Sequence, residues 1–366
     1  MAESSRKAEH QEPLLNSDDD LDIELDQYDR EPRPASPKPS SSTPSLRRAA
    51  RTKIIWCICA LLTAIFGLST QTESVTYYQD VLGWDKPWCS LYITHSCLCI
   101  PWILHTLYLR FANRDVPYRK WVDDYNNNLR GTIGHVDAYA ATGPGFSLQR
   151  SGGPMHFLLS AMTILTLILT VNGGAWFLAV SLTTPGDVTA IYNCAIFFAA
   201  VFSVPLLKQK LSWTAIFAVA LSITGTFVIA YGDTAADHSP NSDAEEASPV
   251  GTSRFVGNIV ALVGAMAFGL YEVLFKKWTA ASKSVGQQEQ FTLTMAASAL
   301  TGIYTLCSGW LVLAVLHFTG VEPFVLPSRE VALYVLLSVF AGSCALNALL
   351  LLVTWTNPVF GSVTSL

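Results

Sequence analysis

Charge is scarce in this sequence and is kept apart from its long apolar runs. Charged residues make up 14% of the chain against 51% hydrophobic, and the apolar residues gather into runs of about 20, which excludes an ordinary soluble fold and fits a polytopic membrane protein. Catalytic signatures are missing as well. There is no Gly-x-Ser-x-Gly elbow, no His-Glu-x-x-His and no phosphate-cradling loop ending in Lys-Ser or Lys-Thr, and the seven histidines are scattered among tail, loops and apolar runs. No enzyme is expected from such a chain. No basic patch is interleaved with aromatics, so nucleic acid is not an expected partner. Of the eight cysteines, Cys57-x-Cys59 and Cys97-x-Cys99 have no His or Cys partners at metal-ligand spacing. They read as small buried residues, with neither a metal nor a cofactor expected. No short apolar segment precedes the first long run to serve as a secretory signal, so that run itself is expected to direct insertion.

What is present begins with a tail. Residues 1–50 are rich in Ser, Pro, Asp and Glu and cannot bury enough apolar surface to order themselves, so they read as a disordered cytosolic tail. Ser36-Pro37 and Thr43-Pro44 resemble proline-directed kinase sites. Glu12-Pro13-Leu14-Leu15 behind Glu9 resembles an acidic dileucine sorting signal, which would engage a sorting adaptor.

Eight spans are expected beyond it, at about Ile54–Thr72, Trp88–Leu109, Phe157–Leu182, Val188–Leu207, Trp213–Tyr231, Phe255–Leu274, Phe291–Leu316 and Val331–Val353. The segment Phe111–Met155, full of Asn, Gly and charge, reads as a surface loop without a helix. Residues 232–254 read as an acidic non-cytosolic loop. Arg47, Arg48, Arg51 and Lys53, then Arg110 to Arg130, then Lys208 and Lys210, then Lys276, Lys277 and Lys283 all fall on one side of this count. Acidic residues such as Asp80, Asp85, Asp243, Glu322 and Glu330 fall on the other. The positive-inside rule then makes the N-terminus cytosolic.

Within the spans, Gly257, Ala261, Ala265 and Gly269 recur every four residues and form a stripe on which a neighbouring backbone can sit closely; Ala218, Ser222, Thr226 and Ala230 repeat the pattern in the fifth span. The most informative stretch is Thr183-Thr184-Pro185-Gly186-Asp187, where Pro and Gly break one apolar run from the next before the span ending at Leu207 and Lys208-Gln209-Lys210. Asp187, Tyr192 and Asn193 lie in its first two turns. They either face a water-filled cavity with Asp187 at its polar mouth, or Asp187 caps the helix and Asn193 joins two helices. Trp355-Thr356-Asn357-Pro358 with Gly361-Ser362-Val363-Thr364 echoes that opening. With an odd number of spans per unit, the second copy would be inverted relative to the first.

Three segments carry a family resemblance. They are Gly257-Asn258 through Gly269-x-Tyr271-Glu272 to Lys276-Lys277, the loop Gly320-x-Glu322-Pro323-Phe324-x-Leu326-Pro327, and Pro205-Leu206-Leu207-Lys208-Gln209-Lys210-Leu211 before a span ending Tyr231-Gly232-Asp233. Together they resemble the drug/metabolite transporter superfamily and, within it, EamA-type fungal proteins of the F branch of solute carrier family 35, whose relatives include thiamine-transporter-like and vacuolar-membrane members. Gln209 departs from the Glu that many relatives carry there.

The resemblance implies an all-α fold of ten helices in two inverted five-helix repeats. The first repeat is expected at 51–231 and the second at 255–366, with a central cavity open alternately to either side. Only eight residues follow Pro358, roughly 12 Å of helix against a hydrocarbon core of about 30 Å. The chain is therefore expected to be truncated within the ninth helix.

Substrate contacts are expected from Thr94, His95 and Ser96 before the Pro101 bend, from Asn172 and Trp176, from Tyr192 and Asn193, and from Tyr271 and Asn347. Asp187 and Glu272 are candidates for a polar mouth or for coupling. Plainer roles stand beside these: Glu272 pairing with Lys276, backbone satisfying His95, and Asn172 and Asn347 as interhelical glue worth about 0.6 kcal/mol apiece. With no ATP-binding motif, transport would draw on a gradient or on exchange. The expectation is a carrier in an endomembrane, with the vacuolar membrane favoured and a homodimer admitted. Its partners would be the lipid bilayer and a small solute, thiamine-like or nucleotide-sugar-like. The rival reading is a non-transporting membrane protein that acts through its tail, or an inactive truncated product.

Overall fold

A computed structural model describes residues 44–142, 153–208, scattered positions between 213 and 225, 250–280 and 285–356. The tail before Pro44, the 232–249 part of the acidic loop, nearly all of the fifth span with its small-residue stripe, and the second half of the echo lie outside the described residues. The chain divides into two units, Met1–Lys53 and Ile54–Leu366. In the first, the described residues form only the opening of a helix, and the second holds the bundle.

Ten α-helices are described: α1 (Pro44–Thr76), α2 (Pro87–Ser96), α3 (Cys99–Ala112), α4 (Tyr118–Thr142), α5 (Gly153–Leu182), α6 (Pro185–Tyr192), α7 (Ala195–Leu207), α8 (Val250–Thr279), α9 (Gln287–Phe318) and α10 (Arg329–Trp355). No strand occurs among the described residues. Among the described residues, six segments are long and apolar enough to cross a membrane: Ile54–Val81, Gly153–Leu182, Pro185–Leu207, Arg254–Thr279, Gln287–Phe318 and Arg329–Trp355. Their outward faces carry large apolar side chains such as Phe66, Val315, Phe318, Leu336 and Phe340. A surface of that kind is stable only with lipid as its solvent.

The structure differs from the sequence-based expectations in several places. The run Trp88–Leu109 is two helices, α2 and α3, broken at Cys97–Leu98. Pro101 explains the break, because it has no N–H to offer the Cys97 carbonyl, which instead accepts from the Ile100 amide at 3.0 Å. Residues Pro44–Ala50, expected in the disordered tail, are helical. The expected surface loop Phe111–Met155 contains α4. Along α4, Trp121, Tyr125, Leu129, Ile133 and Val136 recur at helical spacing on the less exposed face, while Asp123, Asn126, Asn127 and Arg130 are exposed. Mean polarity hid an amphipathic period. Finally, most cysteines are not buried: all eight are free, but only Cys89 is buried, and Cys59 and Cys307 are exposed.

Close backbone approach sets the packing. α8 packs most extensively on α5 and α7. A Cβ on Gly257 would come within 2.9 Å of the Leu182 and Thr183 side chains, and one on Gly269 within 2.7 Å of the Ala199 backbone nitrogen, with Ala261 and Ala265 fully buried between. α1 meets α10 in the same way. Ala60 and Ala64 cluster with Ala348, and a Cβ on Gly67 would lie 2.7 Å from the Ala341 carbonyl oxygen. Interfaces of this type rest on van der Waals contact between small residues, since lipid supplies no hydrophobic drive between helices. α4 packs on α5, α8 and α9 and is tied to α3 by the Trp102 indole N–H donating to the Tyr125 hydroxyl at 3.0 Å.

Candidate functional site

Two spans are interrupted part-way along, and the interruptions flank a cavity. The break between α2 and α3 follows His95 and Ser96, and that between α6 and α7 falls at Asn193–Cys194. At both, the amide ladder tightens from four residues to three, with Leu98 N–H donating to the His95 carbonyl at 3.2 Å and Cys194 N–H to the Ile191 carbonyl at 2.9 Å. Gly302 of α9 sits against the first break, where an added Cβ would lie 2.8 Å from the Cys99 nitrogen and 3.0 Å from the Ser96 carbonyl oxygen.

The cavity measures about 290 Å³. α2 contributes Thr94 and His95, α5 contributes Asn172 and Trp176, α6 contributes Tyr192, and α8 contributes Phe268. α1 and α10 close it with Gln71, Glu73, Gly342 and Leu346. Thr94, His95, Asn172, Trp176 and Tyr192, which the sequence singled out separately, thus line one space.

Their geometry sorts them. His95 is 6% exposed and Asn172 is 8% exposed, yet His95 Nδ1 and Asn172 Oδ1 have no hydrogen-bond partner among the described residues. A buried polar atom left this way costs about 1–3 kcal/mol, so it marks a place where something polar belongs. Gly173 makes room for His95: a Cβ there would lie 2.6 Å from His95 Cε1. The Tyr192 hydroxyl is already engaged, donating to the Asn172 backbone carbonyl at 3.0 Å, and Gly264 leaves the space it occupies. Tyr192 therefore offers its ring to the cavity and keeps its hydroxyl for α5.

The remaining candidates lie elsewhere. Asn193 is buried beside Tyr192 as the C-cap residue of α6 but is absent from the cavity wall. Asn347 turns back on its own helix, its amide donating to the Ser343 carbonyl at 2.9 Å. Tyr271 is fully buried behind Phe268, with the rings stacked at 6.5 Å. Glu272 is fully buried one residue on, and Lys276 donates to the Thr356 carbonyl.

Asp187 stands in a clamp at the joined starts of α6 and α8. Arg254 Nε and Nη2 donate to its two oxygens at 2.6 and 3.0 Å, and Asn258 Nδ2 and Thr183 Oγ1 donate to Oδ2 at 3.3 and 3.1 Å. Thr184, not Asp187, caps α6, accepting from the Asp187 amide at 3.2 Å. A two-point guanidinium fork, with three donors on Oδ2 and one on Oδ1, holds two helices together and leaves little for a solute.

Gln71 and Glu73 are not among the residues the sequence points to. Gln71 lies inside the expected span Ile54–Thr72 and Glu73 just beyond it, whereas the helix runs on through Thr76 into a π-helical turn at Tyr77–Val81. That turn, of a kind often found at functional sites, was invisible to a hydropathy window. A larger hollow of about 580 Å³ between α4 and the start of α9 is lined by exposed Asp124, Asn128 and Glu289 and holds none of these orphaned buried atoms. Among the described residues no group of three or more His, Cys, Asp or Glu could hold a metal ion.

Fold and site together define an all-α, multi-pass integral membrane protein with an internal cavity. Comparison with known proteins adds a distant relative. The chain is 25% identical over 190 residues to a Schizosaccharomyces pombe protein described as an uncharacterized transporter; the match takes in 51% of this chain and 52% of the relative, so the chain spans about half of that protein's length. No family model matches the chain. One solved crystal structure aligns over 85% of this chain and 86% of its own at 15% identity, with a TM-score of 0.40, too loose a likeness to carry an argument.

Proposed function

We propose that this protein is a secondary carrier that moves a small organic solute across a membrane by alternating access, with the solute held between α2, α5 and α6. The observation that carries the reading is the cavity wall, where two buried polar side chains, His95 and Asn172, have unmet hydrogen-bonding atoms beside the aromatic faces of Trp176, Tyr192 and Phe268. Interrupted helices beside a central cavity are what carriers of this kind use to bare backbone and side-chain groups to a solute. The distant relative's description points the same way.

The finer parts of the reading follow from the family resemblance. The fold belongs to the drug/metabolite transporter type, with inverted repeats at 51–231 and 255–366 joined by the acidic segment 232–254. The N-terminus is cytosolic, the residence an endomembrane and by preference the vacuolar one, and the tail is the part that meets kinases and sorting adaptors. A homodimer is compatible with the exposed helix faces. A thiamine-like solute suits the cavity better than a nucleotide sugar.

Uptake by the purified chain in proteoliposomes tests the proposal. A panel of thiamine, amino acids, purines and nucleotide sugars should yield at least one substrate, and His95→Ala and Asn172→Ala should each lower its uptake by about tenfold or more while inserting normally. Wild-type rates in both variants would remove the cavity from the mechanism. Asn193→Ala, outside the wall, should act more weakly than either.

A further inference from the structure

Among the described residues, Glu73 of α1 is the one carboxylic acid in the cavity wall, and neither Lys nor Arg lines it. Glu73 has no ion-pair or hydrogen-bond partner among the described residues and is exposed rather than packed. A carboxylate facing lipid from an apolar helix is costly, and the cavity whose wall Glu73 joins is where such a group belongs. Aromatic rings of Trp176, Phe177, Tyr192 and Phe268 make up much of the opposing wall, and their faces attract cations. Size adds a second restriction. At about 290 Å³ the space lies at the lower edge of the roughly 300–1,000 Å³ typical of small-molecule sites.

We infer that the cavity selects a small organic cation with a flat or apolar body, Glu73 supplying the fixed counter-charge at its rim. The inference rests on the carrier reading and narrows it. A diphosphate-bearing solute finds no guanidinium or ammonium partner here, and a nucleotide sugar is also large for the space. The amide of Gln71, held beside Gly342 where a Cβ would lie 2.6 Å from its Cδ, lines the same wall and is neutral, so among the described residues the Glu73 carboxylate supplies the entrance with its full charge.

Three probes of similar size and different charge test this on the purified full-length chain: benzyltrimethylammonium, 3-phenylpropanol and phenylacetate, with binding read as saturable thermal stabilisation. Benzyltrimethylammonium should bind at least about tenfold more tightly than phenylacetate, and Glu73→Gln should remove at least about tenfold of that affinity while leaving 3-phenylpropanol within about twofold. Glu73→Asp, which keeps the charge, should retain most of the cation affinity and guards against a folding defect in the amide variant. Equal or tighter binding of phenylacetate, cation binding indifferent to Glu73→Gln, or no saturable binding by any of the three overturns the inference. Uptake of labelled benzyltrimethylammonium into proteoliposomes separates the two levels. Glu73-dependent binding without uptake sinks the carrier reading and leaves the charge preference standing; uptake of phenylacetate in place of the cation sinks the charge preference alone.

Discussion

Gly173 is the clearest case of a single position deciding what the cavity can do. Its missing Cβ is the space into which the His95 ring turns, and a methyl there would meet His95 Cε1 at 2.6 Å. Gly173→Ala should therefore push the imidazole further into the cavity and weaken solute or probe binding by about tenfold, at a stability cost of about 1–3 kcal/mol. Probe titration alongside thermal unfolding separates the two effects, and unchanged affinity would show that His95 does not face the ligand. The Asp187–Arg254 fork makes a different prediction at the same scale. Arg254→Met should lower thermal stability by about 1–3 kcal/mol, because it strips a charge-assisted pair from a carboxylate that is itself buried. Probe affinity should stay as in the wild type. A loss of affinity without a loss of stability would return Asp187 to the solute path.

At the scale of the element, the α2–α3 break is held from two sides, by the proline that withholds an amide and by Gly302, which lets α9 lie on the exposed backbone. Gly302→Val should be among the most damaging single changes in the bundle, since the obstruction is backbone rather than a movable side chain; a fall of several degrees in the unfolding midpoint is expected, and a neutral result would mean that α9 does not bear on the break. The elements also show what a sequence can and cannot tell. Long apolar spans, the Pro101 bend and the small-residue stripe of α8 are written in local composition and spacing, and all could be read directly. α4 could not, because its apolar face is diluted by Asn, Asp and Arg on the other. The extension of α1 past Thr72 could not be read either, because Glu73 and the polar residues after it lower the hydropathy that marks a span. The sequence grouped Thr94, His95, Asn172 and Tyr192 in one cavity only by way of the family resemblance, and together with Asn193, Tyr271 and Asn347; packing between helices distant in sequence keeps the first four in the wall and leaves the last three out of it.

For the whole molecule, the flanking charges predict a topology that labelling can check. In a background with its native cysteines replaced by serine, Asp85→Cys, before α2, and Arg119→Cys, in the first turn of α4, should react with a membrane-impermeant maleimide from opposite faces of the bilayer. Labelling of both from one face would overturn the orientation and the odd number of spans per repeat along with it.

The loop after α9 closes the molecule upon itself. α2 begins with Lys86 and Pro87, neither of which caps it, and its Trp88 and Cys89 amides donate instead to the Glu322 carboxylate, both at 3.0 Å. Trp84, just upstream, donates its indole N–H to the Val325 carbonyl at 3.2 Å. The carboxylate that completes α2 lies 233 residues beyond Cys89, so it has not been synthesised when α2 first leaves the ribosome. The start of α2 therefore stays without this acceptor until the loop after α9 has been made, and a chain that stopped anywhere before Glu322 would leave the Trp88 and Cys89 amides without the carboxylate that completes the helix.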